Sequence, residues 1–185
     1  MMKEKVATSL SVEAEDFTLP PFVDQGGYAR ARQGWVWTKL RDVAEVLDSF
    51  RSPINNDERN QRINGRPESE LFPYYGATGQ VGWIDSYLLD EELVLLGEDA
   101  APFYDPFKPV AYLVNGKTWV NNHAHILRAK PVATNKFLLH YLNQFDYHGY
   151  VTGTTRLKLT QQSMNQIPVC IAPLPEQRRI VAKLE

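Results

Sequence analysis

The chain has 185 residues, 43% of them hydrophobic and 23% charged, which suits one globular domain with a core of its own. No apolar run approaches the roughly 18 residues of a membrane-spanning helix, and residues 1–17 lack the continuous apolar stretch of a secretory signal. A single cysteine, Cys170, excludes an internal disulfide and a multi-cysteine zinc site, so a cytoplasmic protein is expected.

Residues 1–33 read as a leader of mixed charge without a period, interrupted by Pro20, Pro21, Gly26 and Gly27. Order is expected from Gly34. Thr38 is a fair N-cap, and Leu40, Val43, Ala44 and Leu47 fall at helical spacing, which predicts a short amphipathic helix giving way to a strand within 45–50. Residues 51–69 are polar, with Pro, Asn and Gly, and predict a long exposed loop. Trp83, Ile84 and Tyr87 favour a strand, as do the apolar runs 93–97 and 110–114. Asn115 and Gly116 signal a tight turn into a strand over 118–121, and 124–129 reads as another. Thr134 then caps a helix with Phe137, Leu138, Tyr141, Leu142 and Phe145 on one face. A Gly/Thr loop over 149–159, a short helix over 160–166 and a strand over 167–171 follow, and Pro175 suits the first turn of a last helix. The sequence stops inside that helix, as a piece cut from a longer protein would. The fold class expected is α+β: a small mixed, mostly antiparallel twisted sheet with a few short helices, ending in the start of a long coiled-coil-type helix. The domains expected are a leader over 1–33, one folded domain over 34–172, and the start of a spacer helix over 173–185.

The formal net charge of −2 speaks against a nucleic-acid partner, but the charges are segregated. Residues 85–105 hold seven carboxylates and no Lys or Arg; residues 106–158 hold seven Lys/Arg against Asp146, with all four histidines. Arg51, Arg59, Arg62 and Arg66 surround only Asp57 and Glu58. Such segregation can make one face basic on an acidic molecule.

Catalytic readings fare poorly. Gly76, Gly79 and Gly82 lack the Lys-Ser/Thr of a phosphate-binding loop, and tight turns with close strand approach explain them better. His123 and His125, two apart, would share a strand face and could ligate a metal, but no nearby Cys completes a site; structural hydrogen bonds or phosphate contacts are the stronger reading. The acids of 85–105 read as a solvated loop rather than a divalent-ion site. Cys170, in an apolar run, reads as a buried structural thiol. No lysine has Asp or Glu two positions before it, which removes a common nuclease signature. Recognition remains: arginine reads guanine edges, asparagine reads adenine, and threonine, lysine and backbone amides hold phosphates.

Six stretches in this order, "PYYGATGQVGWID", "LVLLGEDAA", "GKTWVNNHAHIL", "FLLHYLN", "GTTRLKLT" and "IPVCIAPLPEQRRIVAKLE", resemble a target recognition domain of a type I restriction–modification specificity subunit. The resemblance runs from about Gly34 to the last residue. It implies a non-catalytic reader of double-stranded DNA. A complete subunit of that family carries two such domains, each reading one half of a bipartite site, joined by helices that bind methyltransferase subunits; a restriction subunit joins the same complex. S-adenosylmethionine, ATP and Mg belong to those partners, so this chain is expected to need no cofactor and no metal. One recognition domain alone implies an excised half or a half-length subunit with a dimer mate.

On this reading, phosphate contacts are expected from Lys117, Lys130, Lys136 and Lys158. Base contacts are expected from the 51–66 segment (Arg51, Arg59, Arg62, Asn64, Arg66), from the tip bearing Tyr75, Thr78 and Gln80, and from Thr154, Thr155 and Arg156. Ile180 and Leu184 are assigned to helix pairing with a partner. A recognition domain of a fused restriction–methylation enzyme, a protein- or carbohydrate-binding module, and a metal hydrolase using His123 and His125 are the competing readings.

Overall fold

The computed structural model describes residues 34–185, so the expected leader lies outside the described residues. β1 (Val36–Lys39) runs into a single helical turn, α1 (Leu40–Val43), and then β2 (Ala44–Val46). The helix expected from Thr38 to Leu47 is thus cut to one turn. Thr38 lies in β1, where its Oγ1 donates to Asp42 at 3.0 Å. Ala44, Glu45 and Val46 extend to pair with Ala129, Arg128 and Leu127, so strand pairing overrides a weak helical period.

The expected loop over 51–69 is the larger correction. It contains α2 (Asn56–Ile63), capped by Asn55, whose side chain accepts from the Glu58 amide at 2.8 Å. Asp57 and Glu58 sit in its first turn and Arg62 in its last, matching the helix dipole. α2 buries none of its residues, so no apolar period marks it.

The remaining elements come in the expected order, except that the expected Gly/Thr loop over 149–159 contains a pair of short antiparallel strands. They are β3 (Phe72–Gly76), β4 (Gly79–Ile84), β5 (Leu89–Asp90), β6 (Leu93–Gly97), β7 (Ala111–Val114), β8 (Lys117–Val120), β9 (Ala124–Ala129) and α3 (Asn135–Gln144). Then come β10 (Val151–Thr152), β11 (Lys158–Leu159), α4 (Gln161–Asn165), β12 (Pro168–Ile171) and α5 (Leu174–Leu184). Thr134 caps α3 by accepting from the Phe137 amide at 3.2 Å. Thr160 caps α4, and Pro175 lies in the first turn of α5.

The class is α+β with mostly antiparallel pairing, but there are two four-stranded sheets rather than one. Their orders are β2-β9-β6-β7 and β4-β3-β8-β5, with two-stranded pairs β1-β12 and β10-β11 beside them. Only β3 and β8 run parallel among the described strands. β6 is the central strand: Val94 and Leu96 pack with Leu40, Val43, Leu127, Phe137, Leu138 and Leu142, while Leu93 and Leu95 pack with Leu47, Leu89, Val114, Val120 and Ile126. Both faces are therefore apolar, which is why its sequence shows a run rather than an alternation. Leu89 and Val120 come from the second sheet, so the two sheets enclose the second cluster between them. On the outer face of the second sheet Tyr74, Ile84 and Trp119 form a small cluster with Ile54, Phe72 and Leu88, and α2 lies over it.

Candidate nucleic-acid interface

The strand directions bring several connections to one end of the two sheets. β3 and β8 are parallel with Tyr75 opposite Val120, so the turns after them lie side by side; the Asn121 amide donates to the Tyr75 carbonyl at 3.1 Å. The start of the β6–β7 loop joins them, with the Glu98 amide on the His123 carbonyl at 2.8 Å. Gly97 makes that approach possible: a Cβ there would stand 2.9 Å from the Ala77 carbonyl oxygen and against the Ala101 methyl. The β10–β11 hairpin docks on the same loop through Ala100 N to Leu157 O, 2.9 Å, and Leu159 N to Glu98 O, 2.8 Å.

Side chains at this end are polar and open. Thr78, Gln80, Asn122, Thr152, Thr154 and Thr155 are exposed. Arg156 is 61% exposed, reaching Asp99 only at 3.6 Å and His123 at 3.5 Å, contacts worth little in water. Lys158 stands 3.1 Å from Glu98. Gly153 turns the hairpin at φ +95, where a side chain would also meet the Arg156 carbonyl. Tyr75 packs on Tyr112, whose hydroxyl donates to the Gly76 carbonyl, and burial pushes the Tyr75 phenol up.

The other expected contact residues lie elsewhere. Arg51 belongs to this end but faces inward, its guanidinium between Asp48 and Glu98. Arg59 donates to the Trp83 carbonyl at 3.3 Å and lies over the Tyr74 ring. Arg62 donates to Asp85 at 2.7 Å with its guanidinium 5.0 Å from the Trp119 ring centroid. Arg66 reaches the same Asp85 at 3.6 Å, and Asn64 is the exposed C-cap of α2. The four lysines are not all gathered at this end. Lys158 is at the gathered end, whereas Lys117 opens β8 at the opposite end, over Phe72 and Tyr87. Lys130 follows β9 and donates to the Arg41 carbonyl at 2.8 Å; Lys136 pairs with Glu185 at 2.8 Å.

His123 and His125 do not form a pair of ligands. His123 sits in a turn, 40% exposed at its side chain, while His125 is buried, as the structural reading expected. Asp48, Glu98 and His125 could together hold a cation, but Arg51 already supplies positive charge among them. Glu98 is therefore no member of a solvated acidic loop: it is buried, with Arg51 and Lys158 paired to it and His125 beside it. Cys170 is half-buried rather than buried as expected, and that burial raises its thiol. Sequence reasoning did not single out Asp48 and took Glu98 for part of a solvated loop; the "NNH" turn, where Asn121 accepts from the His123 amide at 2.8 Å, was the one readable signal.

α5 turns Gln177 and Val181 inward. Gln177 donates to the Val132 and Ala172 carbonyls at 2.8 and 2.7 Å and accepts from Thr134 N. Ile180 packs partly on the main core, and Leu184 is 59% exposed. No helix among the described residues is long and apolar enough to cross a membrane.

The architecture is that of specificity subunits from type I restriction–modification systems. The S subunit from M. genitalium superposes with a TM-score of 0.61 at 13% identity, over 81% of this chain and 38% of that one. The HsdS subunit from Thermoanaerobacter tengcongensis gives 0.56 at 19% identity, over 86% and 39%. A chain from a structure of type I R-M complex assembly and conformational transition gives 0.58 at 21%, over 84% and 38%. In sequence, a chain named as a type I restriction enzyme specificity subunit of Haemophilus influenzae is 33% identical over 149 residues, 80% of this chain and 36% of its own length. The chain thus spans just over a third of the length of the curated relative it matches. Residues 32–185 match the type I restriction modification DNA specificity domain, and the chain belongs to that family.

Proposed function

We propose that this domain reads the base sequence of one half of a bipartite DNA site, using the end of the fold where the β3–β4 tip, the β8–β9 turn and the β10–β11 hairpin meet. The observation that carries the reading is the gathering there of exposed Thr78, Gln80, Thr154, Thr155 and Arg156 in a chain of a DNA specificity family. Arg156 is the best-placed base reader: long, always charged and weakly held. Lys158 and the hairpin threonines suit phosphates. Arg59, Arg62 and Arg66 are tied into the fold and hold α2 in place.

The chain itself makes and breaks no bonds in this reading. Methyltransferase subunits, and through them a restriction subunit, assemble around the complete protein, with S-adenosylmethionine, ATP and Mg serving those partners. The exposed Leu184 edge of α5, with Ile180 beside it, is where helix pairing would begin. A second recognition domain or a dimer mate completes the bipartite reader.

Titrating the chain with fluorescent random-sequence duplex at increasing salt tests this. Log affinity should fall linearly with log salt concentration, as phosphate neutralisation requires. Absent binding, or binding indifferent to salt, rejects the proposal in favour of a protein- or carbohydrate-binding module.

A further inference from the structure

A buried group of charges lies directly beneath the β10–β11 hairpin. The side chains of Asp48, Glu98 and His125 are 7%, 12% and 1% exposed. Both ring nitrogens of His125 face acceptors: Nδ1 is 2.6 Å from Asp48 Oδ2, and Nε2 is 2.9 Å from the carbonyl oxygen of Leu159 in β11. Asp48 Oδ1 accepts from the Ile126 amide of β9 at 2.9 Å. Arg51 bridges Asp48 and Glu98, and Glu98 receives Lys158 from β11 at 3.1 Å.

The hairpin cannot set its own position. Only two residue pairs, Val151 with Leu159 and Thr152 with Lys158, hold its strands together. A two-stranded hairpin is marginal alone even when longer. Burying this many charges is also a poor way to gain stability, since apolar replacements of buried ion pairs are often neutral or better. Directional bonds, by contrast, fix where the attached backbone lies.

We propose that Asp48, Arg51, Glu98 and His125 are positioning residues: a buried ionic anchor that fixes the pose of the hairpin, and with it the base preference of Arg156, without touching DNA. The second half rests on the base-reading function proposed above.

Glu98→Gln and His125→Gln in the full chain test it, with Leu142→Ala as a control that weakens the core away from the anchor. Two readouts are needed: amide hydrogen exchange, and the motif enriched from a randomised duplex pool. In both anchor variants the Ala100 and Leu159 amides should exchange roughly tenfold faster relative to the β6–β9 ladder, a local opening rather than a global one. The enriched motif should lose information while affinity for unselected duplex holds. Leu142→Ala should lower the melting temperature and leave the motif intact. Unchanged exchange at Ala100 and Leu159, or an unchanged motif in both anchor variants, overturns the anchor. Should His125→Gln not fold, the isosteric Glu98→Gln decides alone. If the wild-type chain enriches no motif, base reading fails, and the exchange ratio still decides the anchor by itself.

Discussion

α2 carries Arg59 and Arg62, with Arg66 just beyond its end, and the β10–β11 hairpin carries Arg156; the same charge is put to different uses. α2 has no buried residue of its own, so its arginines are its attachment to the sheet, through Asp85, the Trp83 carbonyl and the faces of Tyr74 and Trp119. The hairpin is attached from below by its backbone, by Leu159 in the main core and by Lys158, which leaves Arg156 61% exposed. A polar helix without an apolar face consumes its cations as glue. A hairpin anchored by other groups can spare its cation for a ligand.

The comparison can be broken at several points. The largest effect is expected away from both surfaces, at Arg51: Arg51→Ala removes the cation that two nearly buried carboxylates share, and urea unfolding should report a loss of about 3 kcal/mol. Gly153→Ala forces a side chain into left-handed backbone against the Arg156 carbonyl, a strain of about 1–3 kcal/mol. Because the hairpin is small, that strain should show more in the enriched DNA motif than in the melting temperature. Arg62→Ala removes a half-buried ion pair and a ring contact and should lower stability by about 1 kcal/mol. Arg156→Ala should change stability by less than about 0.5 kcal/mol.

The smallest effect is a pH dependence. Burial, with Tyr75 nearby, pushes the Tyr112 phenol well above its ordinary 10.0. Below pH 10 both folded and unfolded chains keep it neutral, so its contribution is constant there. As pH rises further the unfolded chain ionises first and stability falls. The urea midpoint should therefore start to drop as pH rises past about 10, and Tyr112→Phe should flatten the drop.

Much of the fold was legible because it is written in apolar patterns. β6, β9 and α3 lie where the runs at 93–97 and 124–129 and the Thr134 cap put them. α2 was not legible, because a helix held by arginines leaves no periodic stripe. Nor was the division into two sheets, since the parallel pairing of β3 with β8 joins segments some 45 residues apart, and local sequence carries no signal for it. The site was half legible. The Gly/Thr hairpin and the glycine tip announced exposed loops, but charge content alone could not tell Arg156 from Arg62. That depends on which carboxylates lie opposite, and Asp85 and Glu98 acquire their partners only through the fold.

The most direct test sets the two arginines against each other. Wild type, Arg62→Ala and Arg156→Ala are each selected against the same randomised duplex pool, and the enriched motifs are compared. Arg156→Ala should relax preference at one base pair, by about 1–3 kcal/mol of discrimination, while Arg62→Ala returns the wild-type motif. A motif altered by Arg62→Ala and untouched by Arg156→Ala would contradict a reading end built on the hairpin and move it to α2.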